Sequence, residues 1–132
     1  MDRRAISVGI IEPQRLFAPF VTQLLSDAGF RVVVTLESPT LAEIARTKPA
    51  VIFIDVDFIE VDPVRAIRQI RSVLPNATIC AYTGRTEAAW SGTCSRAGAN
   101  CIISKSATPE EIVAGIERAI RVGAYVEHRF EG

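Results

Sequence analysis

The sequence predicts an α/β fold: one doubly wound domain with a five-stranded parallel sheet of order 2-1-3-4-5 and helices on both faces. Three observations support this fold. Five short apolar runs alternate with five segments that have helical spacing of apolar residues. The runs are apolar at nearly every position, which is typical of parallel strands buried on both faces. Four of the runs end at a polar residue. A chain of 132 residues fits a single domain, 1–132, with a core at about 5–126.

The first half of the chain alternates strand, helix, strand, helix and strand. Strands are expected at residues 6–11, 31–36 and 51–55, and the last is central because it is apolar throughout. A helix at about 15–28 carries an apolar stripe expected to face the core, formed by Leu16, Phe17, Phe20, Val21, Leu24 and Leu25. Gly29 is placed to end this helix. Pro39 and Pro49 bound a short second helix.

The second half repeats the alternation, with strands expected at 77–83 and 100–104. Pro63 begins a third helix, in which the arginines of 65–71 indicate a solvated face. The fourth helix, at about 86–97, is the weakest, because Gly92 in its middle costs about 1 kcal/mol relative to alanine. Thr108 and Glu111 have capping-box spacing at the start of the last helix, which Gly123 ends.

Composition excludes several classes of function. Fifteen basic and fifteen acidic residues cancel, so there is no strong basic field and we expect no direct nucleic-acid binding by this chain. No apolar run reaches the length of a membrane span. The three cysteines lack metal-ligand spacing and indicate a reduced, cytoplasmic compartment. The only histidine, His128, argues against histidine-based catalysis.

Four polar residues end the apolar runs: Glu12, Asp55, Thr83 and Lys105. Because the carboxyl ends of parallel strands meet at one edge of a sheet, these side chains are expected to line one crevice. A carboxylate there can bind a hard cation or attack phosphorus. A hydroxyl and an ammonium group can bind phosphoryl oxygens. The set therefore suits binding of a divalent cation and transfer of a phosphoryl group.

The spacing of these residues resembles that of receiver domains of two-component response regulators, over about residues 5–126. Ile-Ile-Glu-Pro at 10–13 matches the strand that ends in the family's acidic pair, and 51–55 matches the strand that ends in the phospho-accepting aspartate. Thr83 matches the family's hydroxyl residue, and 97–105 matches the segment that leads to its lysine. After Lys105 the chain has Ser106, where many receivers have proline. In this feature the chain most resembles receivers of the LuxR/NarL-type subfamily.

The resemblance implies a flavodoxin-like receiver fold and a phospho-accepting function in a two-component system. Asp55 would accept the phosphoryl group, and Thr83 and Lys105 would contact it. Mg²⁺ would be held by Glu12, Asp55 and Asp57. The resemblance implies a sensor histidine kinase or a phosphotransfer protein as partner. A homodimer with a second copy of this chain is also possible in this family. Such a domain takes part in phosphotransfer to its own aspartate and is not a turnover enzyme.

Two departures from the family pattern leave a second function open. Pro13 replaces the second member of the acidic pair, and losing a carboxylate there weakens Mg²⁺ binding by about tenfold. Ile102 stands where the family has an aromatic switch residue. The alternative is a phosphorylation-independent pseudo-receiver that acts as an interaction or dimerisation module. Asp55-Val56-Asp57 also resembles the Asp-x-Asp signature of haloacid-dehalogenase-type phosphatases, but it lies on the third strand, not the first.

Overall fold

The structure, a computed structural model, describes residues 1–130. Positions 131–132 of the predicted domain 1–132 lie outside the described residues. The helices are α1 (Ala18–Asp27), α2 (Leu41–Thr47), α3 (Pro63–Val73), α4 (Ala88–Ala97) and α5 (Pro109–Val122). The strands are β1 (Ser7–Ile11), β2 (Arg31–Leu36), β3 (Val51–Asp55), β4 (Thr78–Thr83), β5 (Cys101–Ser104) and β6 (Tyr125–Val126).

The strands form one parallel sheet of order β2-β1-β3-β4-β5-β6. The predicted α/β fold and the order of its five strands are confirmed, and a sixth strand of two residues extends the edge. After α5, Gly123 has a φ of 91°, a left-handed conformation that glycine adopts without strain. The chain then runs beside β5, where the Tyr125 N–H donates to the Asn100 carbonyl. A strand of two residues is too short for an apolar pattern to reveal it.

Both faces of the sheet are buried at β1, β3, β4 and β5, as the continuous apolar strands predicted, whereas the edge strand β2 is only partly buried. The alternation along β3 shows how one strand serves two cores. Ile52 and Ile54 pack in the cluster that includes residues of α2, α3 and α4. Val51 and Phe53 pack in the cluster that includes residues of α1 and α5. Asp55 follows at the carboxyl end of this buried strand, with its position fixed by packing on both sides.

The helix starts follow local chemistry where the sequence has strong signals. Thr108 and Glu111 form the predicted capping box at the start of α5. Asp62 accepts a hydrogen bond from the Val64 N–H and precedes Pro63 at the first position of α3. Where the sequence has weaker helix-start signals, the predicted starts are less accurate. The helix α1 begins at Ala18 rather than near residue 15, and α4 begins at Ala88 rather than near residue 86.

The apolar stripe of α1 does not face the core along its whole length. Val21 and Leu25 are buried, as predicted. Leu16 is 90% exposed, and Phe17 and Phe20 are also exposed, so the prediction was wrong for these three residues. Residues 15–17 form turns ahead of the helix and do not continue its buried face. These apolar side chains lie instead beside the carboxyl edge of the sheet.

One arginine of α3 is not a solvated residue. Arg65 and Arg68 are exposed, as their spacing predicted. Arg71 is half-buried, and its guanidinium donates to the carbonyls of Gly98 and Ala77 at 2.7 Å each. Burial lowers the pKa of Arg71. The residue connects the end of α3, the start of β4 and the turn before β5, which the helical spacing of arginines did not indicate.

Candidate functional site

The carboxyl edge of the sheet brings the predicted polar residues together. Ile11 pairs with Ile54 between β1 and β3, so Glu12 and Asp55 are the next residues on adjacent strands. Thr83 ends β4 and pairs with Ser104 of β5, which is followed directly by Lys105. Register between neighbouring parallel strands therefore places two carboxyl groups, a hydroxyl and an ammonium in one crevice.

The two carboxyl groups from β1 and β3 are almost completely buried. Glu12 is 3% exposed and Asp55 is 2% exposed. Each accepts a backbone hydrogen bond two residues along the chain, Glu12 from the Gln14 N–H and Asp55 from the Asp57 N–H. Burial, together with the hydrogen bond and the charge of Asp55, raises the pKa of Glu12 to about 7. Two buried carboxyl groups that repel one another form a donor set suited to Mg²⁺, a cation that prefers oxygen ligands.

Lys105 is the cation of the crevice. Its Nζ lies 2.9 Å from Asp55 Oδ2 and 3.1 Å from Asp57 Oδ2. Burial alone would lower the pKa of Lys105, but the hydrogen bonds and charges of the two aspartates outweigh it and raise that pKa. The ammonium also lies 4.5 Å from the centre of the Phe58 ring, a cation–π distance. Lys105 is therefore charged and held in place.

The Asp57 side chain accepts hydrogen bonds from three groups. The Thr83 hydroxyl donates to Asp57 Oδ1 at 2.6 Å, and the Gly84 N–H donates to Oδ2 at 2.7 Å. Lys105 is the third partner. Burial would raise the pKa of Asp57, but these three donors outweigh it and lower that pKa. The sequence placed Asp57 among the metal ligands, and the structure shows both of its carboxylate oxygens engaged by donors from β4, the loop after it and the residue after β5.

Thr83 connects the crevice to α4. Its hydroxyl oxygen accepts from the Trp90 indole N–H at 3.2 Å and from the Arg85 N–H at 3.1 Å. The Arg85 guanidinium stacks 4.1 Å from the centre of the Trp90 ring. Sequence reasoning identified neither Trp90 nor Gly84 as a partner in the site. The only available signal was the position of Trp90 one helical turn into the segment that follows Thr83.

An apolar rim surrounds the carboxyl groups. The crevice continues into an open cavity of about 690 Å³. Its lining consists of Glu12, Gln14, Leu16, Phe17, Phe20, Val21, Asp55, Phe58, Tyr82 and Lys105. The exposed side chains of the α1 stripe form one side of it, and Phe58 from the loop after β3 forms another. Their position explains why these apolar residues were wrongly predicted to belong to the core.

The two departures from the family pattern have clear structural positions. Pro13 follows Glu12 at the crevice and offers no side-chain ligand. Ile102 is completely buried in the cluster that also contains Cys94 of α4 and Phe130. The three cysteines are free and buried.

Comparison with known proteins identifies a family for this chain. The family model for the response regulator receiver domain matches residues 8–117. No curated protein sequence matches the chain significantly. Among residues 1–130, no helix is long and apolar enough to cross a membrane.

Solved structures show the same fold at low sequence identity. A LuxR-family two-component response regulator from Aurantimonas sp. SI85-9A1 has a TM-score of 0.84 and 21% identity, over 92% of this chain and 89% of that one. The isolated REC domain of RcsB from Salmonella enterica serovar Typhimurium, with phosphomimetic BeF3-, has a TM-score of 0.82 and 16% identity, over 96% of each chain. A CheY-like receiver domain protein from Methanospirillum hungatei JF-1 has a TM-score of 0.78 and 17% identity, over 89% and 94%.

The family model covers most of the sheet and all the strands that carry the crevice. The chain therefore belongs to the response regulator receiver domain family of two-component systems.

Proposed function

We propose that this domain is a phospho-accepting receiver and that Asp55 is its acceptor. The observation that carries this proposal is the position of Asp55: it is buried at the end of β3, beside Glu12, with Lys105 Nζ at 2.9 Å from its Oδ2. A carboxylate fixed in this way is a poised oxygen nucleophile with a cation next to it. The apolar rim and the cavity leave the approach to the carboxylate open to a donor.

In the proposed reaction, a carboxylate oxygen of Asp55 attacks the phosphorus of a phosphohistidine on a sensor histidine kinase or phosphotransfer protein. A P–O bond forms, the P–N bond breaks, and the imidazole leaves with the electron pair of that bond and takes up a proton. Asp55 becomes an acyl phosphate. A small donor such as acetyl phosphate would react in the same way. The domain changes only its own aspartate and is not a turnover enzyme.

The surrounding residues each have a role in this proposal. Glu12, Asp55 and Asp57, the last through its backbone carbonyl, would hold Mg²⁺. When bound, the ion supplies positive charge against the phosphoryl oxygens. Lys105 orients and neutralises the phosphoryl group, and Thr83 donates a hydrogen bond to one of its oxygens. The buried, free cysteines support a cytoplasmic location for this chemistry.

The test is Mg²⁺-dependent modification by acetyl phosphate, followed by intact mass. We expect the wild type to gain the mass of one phosphoryl group. Asp55→Asn should gain none, because an amide is not a nucleophile toward phosphorus. Asp27→Asn is the matched control: it removes an exposed aspartate at the end of α1 and should be modified like the wild type. Equal modification of wild type and Asp55→Asn would overturn the assignment.

A second candidate function is a phosphorylation-independent pseudo-receiver that acts as an interaction or homodimerisation module. Pro13 removes one metal ligand and the enclosed Ile102 removes the aromatic switch. These two observations favour it. In that case acetyl phosphate would leave the mass unchanged at saturating Mg²⁺. Sedimentation would then show the same oligomeric state for the wild type and Asp55→Asn, with or without the donor.

A further inference from the structure

Three donors of the crevice contact the Asp57 carboxylate, and the Lys105 ammonium among them also contacts the acceptor Asp55. They are the Thr83 hydroxyl, the Gly84 N–H and the Lys105 ammonium, at 2.6, 2.7 and 3.1 Å from the Asp57 oxygens. These three groups form the donor set of the site. They come from the end of β4, the loop after it and the residue after β5. Side chains and backbone from separate elements thus bind one carboxylate.

The donor set lies where a phosphoryl group on Asp55 would have to go. The Lys105 ammonium forms ion pairs with both Asp55 Oδ2 and Asp57 Oδ2, so the two carboxylates share one cation. A group attached to Asp55 that reaches Lys105 therefore meets the oxygens of Asp57. Both groups are anionic and present hydrogen-bond acceptors to the same donors. They cannot occupy the donor set together.

A simple structural ion pair does not require this arrangement. Lys105 would be neutralised by Asp55 alone, yet the crevice contains three carboxyl groups, Glu12, Asp55 and Asp57, against this one ammonium. The third carboxyl group adds negative charge to a site that is already crowded with it. What Asp57 gains in return is its pair of hydrogen bonds from Thr83 and Gly84. Its position is therefore best explained by those donors.

We propose that the Asp57 carboxylate is a built-in occupant of the donor set. In the unphosphorylated protein it holds Thr83 in the position that a phosphoryl group would otherwise impose. The second part rests on the proposed function: phosphorylation of Asp55 must displace Asp57 and take over its three donors. Asp57 is in this sense a positioning residue that acts through Thr83.

The consequence of this occupancy reaches α4. The Thr83 oxygen that donates to Asp57 also accepts from the Trp90 indole N–H and the Arg85 N–H. The hydrogen bond from the Thr83 hydroxyl to Asp57 therefore also fixes the acceptor of the Arg85 and Trp90 N–H groups, and so orders the segment that leads into α4. Exchange of one anionic acceptor for another would leave this segment nearly unchanged. The domain would present its α4 surface in one conformation with or without phosphorylation.

The first experiment needs neither metal nor phosphoryl donor. Trp90, the only tryptophan of the chain, reports by fluorescence, and hydrogen exchange reports on residues 84–97. With EDTA present, we expect Asp57→Ala to shift the Trp90 emission and to speed exchange in 84–97 several-fold. Asp27→Ala, which removes an exposed carboxylate at the end of α1, should match the wild type in both. If Asp57→Ala matches the wild type as well, the proposal is overturned.

Thr83→Val provides an independent variant, because it removes the hydroxyl and keeps the shape of the side chain. It should reproduce the effect of Asp57→Ala on Trp90 in the metal-free protein, even if Asp57→Ala fails to fold. An unchanged Trp90 emission in Thr83→Val would overturn the connection between Asp57 and α4.

The second experiment adds Mg²⁺ and beryllofluoride, a phosphoryl mimic. In Asp57→Ala the donor set is empty, so beryllofluoride on Asp55 should return the Trp90 emission and the exchange of 84–97 to wild-type values. Asp55→Asn/Asp57→Ala should not respond. If Asp55 is modified by acetyl phosphate but beryllofluoride does not restore these signals, the inference fails and the proposed function stands. If Asp57→Ala alters Trp90 in EDTA while Asp55 is never modified, the occupancy by Asp57 stands and the proposed function fails.

Discussion

At the scale of single residues, the site is defined by an imbalance of charge. Glu12, Asp55 and Asp57 share one cation, Lys105. The crevice reduces this imbalance of charge in two ways. Asp57 takes up donors from Thr83 and Gly84, and the pKa of Glu12 rises to about 7. The remaining negative charge is what a bound cation would neutralise.

The pKa of Glu12 makes a prediction about stability and pH. The folded state keeps a proton on Glu12 up to about pH 7, whereas the unfolded chain loses it at its ordinary value of 4.5. The unfolded state therefore binds fewer protons between these values, and the free energy of unfolding must fall as pH rises from 4.5 to about 7. We expect Glu12 to contribute about 1–3 kcal/mol to this fall.

Urea unfolding in EDTA at several pH values measures this contribution. Glu12→Gln, which keeps a neutral side chain of the same shape at every pH, should flatten the dependence in this range. Glu117→Gln changes a half-buried glutamate of α5 that pairs with Arg3 outside the crevice, and this variant should retain the dependence. A wild type whose stability stays constant across the range would show that burial and the neighbouring Asp55 do not raise the pKa of Glu12.

Pro13 gives a second prediction for a single residue. Replacing it by aspartate adds a carboxylate next to Glu12. We expect Pro13→Asp to lower the dissociation constant for Mg²⁺ by about tenfold. Two unit charges about 4 Å apart attract by about 4 kcal/mol at an effective dielectric constant of about 20, and about a third of that attraction, surviving hydration, gives a factor of about ten. Isothermal titration measures the effect, with Pro13→Asn as the matched neutral control. Equal affinities in the two variants would show that the existing groups already saturate the ion.

At the scale of elements, α4 is the helix through which Thr83 reaches the rest of the molecule. It has no side-chain cap at its start and contains Gly92 in its middle. A glycine in a helix can be required where another element packs closely against it. A Cβ at Gly92 would meet the flexible guanidinium of Arg96, with its nearest atom at 3.2 Å. The glycine is therefore not required by close packing against another element.

Gly92→Ala should accordingly stabilise the protein. We expect a gain of about 0.5–1 kcal/mol in the free energy of unfolding, the usual difference between alanine and glycine inside a helix. Urea unfolding gives this value, and hydrogen exchange of residues 84–97 should slow in parallel. A loss of stability would mean that Arg96 cannot move aside and that our view of α4 as intrinsically weak is wrong.

Arg71 gives the opposite prediction for α3. Its guanidinium satisfies the carbonyls of Ala77 and Gly98, which a single ammonium cannot do with the same geometry. We expect Arg71→Lys to cost about 2 kcal/mol, measured by urea unfolding, because partly buried carbonyls lose their donors. Arg68→Lys changes an exposed arginine of the same helix and should have little effect. Equal stability of the two variants would contradict the structural role of Arg71.

At the scale of the whole molecule, the sequence predicted what depends on periodicity and register. Buried strands with continuous apolar runs give the parallel sheet, and their carboxyl ends give the crevice with Glu12, Asp55, Thr83 and Lys105. What it did not predict depends on loops. The two residues of β6 show no pattern. The partners of Asp57 are set by the turn after β4, and the exposure of Leu16 is set by the turns before α1.

The central claim is that Asp55 accepts a phosphoryl group in this crevice. Reduction with borohydride after treatment with Mg²⁺ and acetyl phosphate tests it most directly, because an aspartyl phosphate is converted to homoserine and peptide mapping then locates it. We expect homoserine at position 55 in the wild type, and none when Mg²⁺ is replaced by EDTA. Homoserine at another aspartate, or an unreduced residue 55 in a protein that carries the added phosphoryl mass, would contradict the claim.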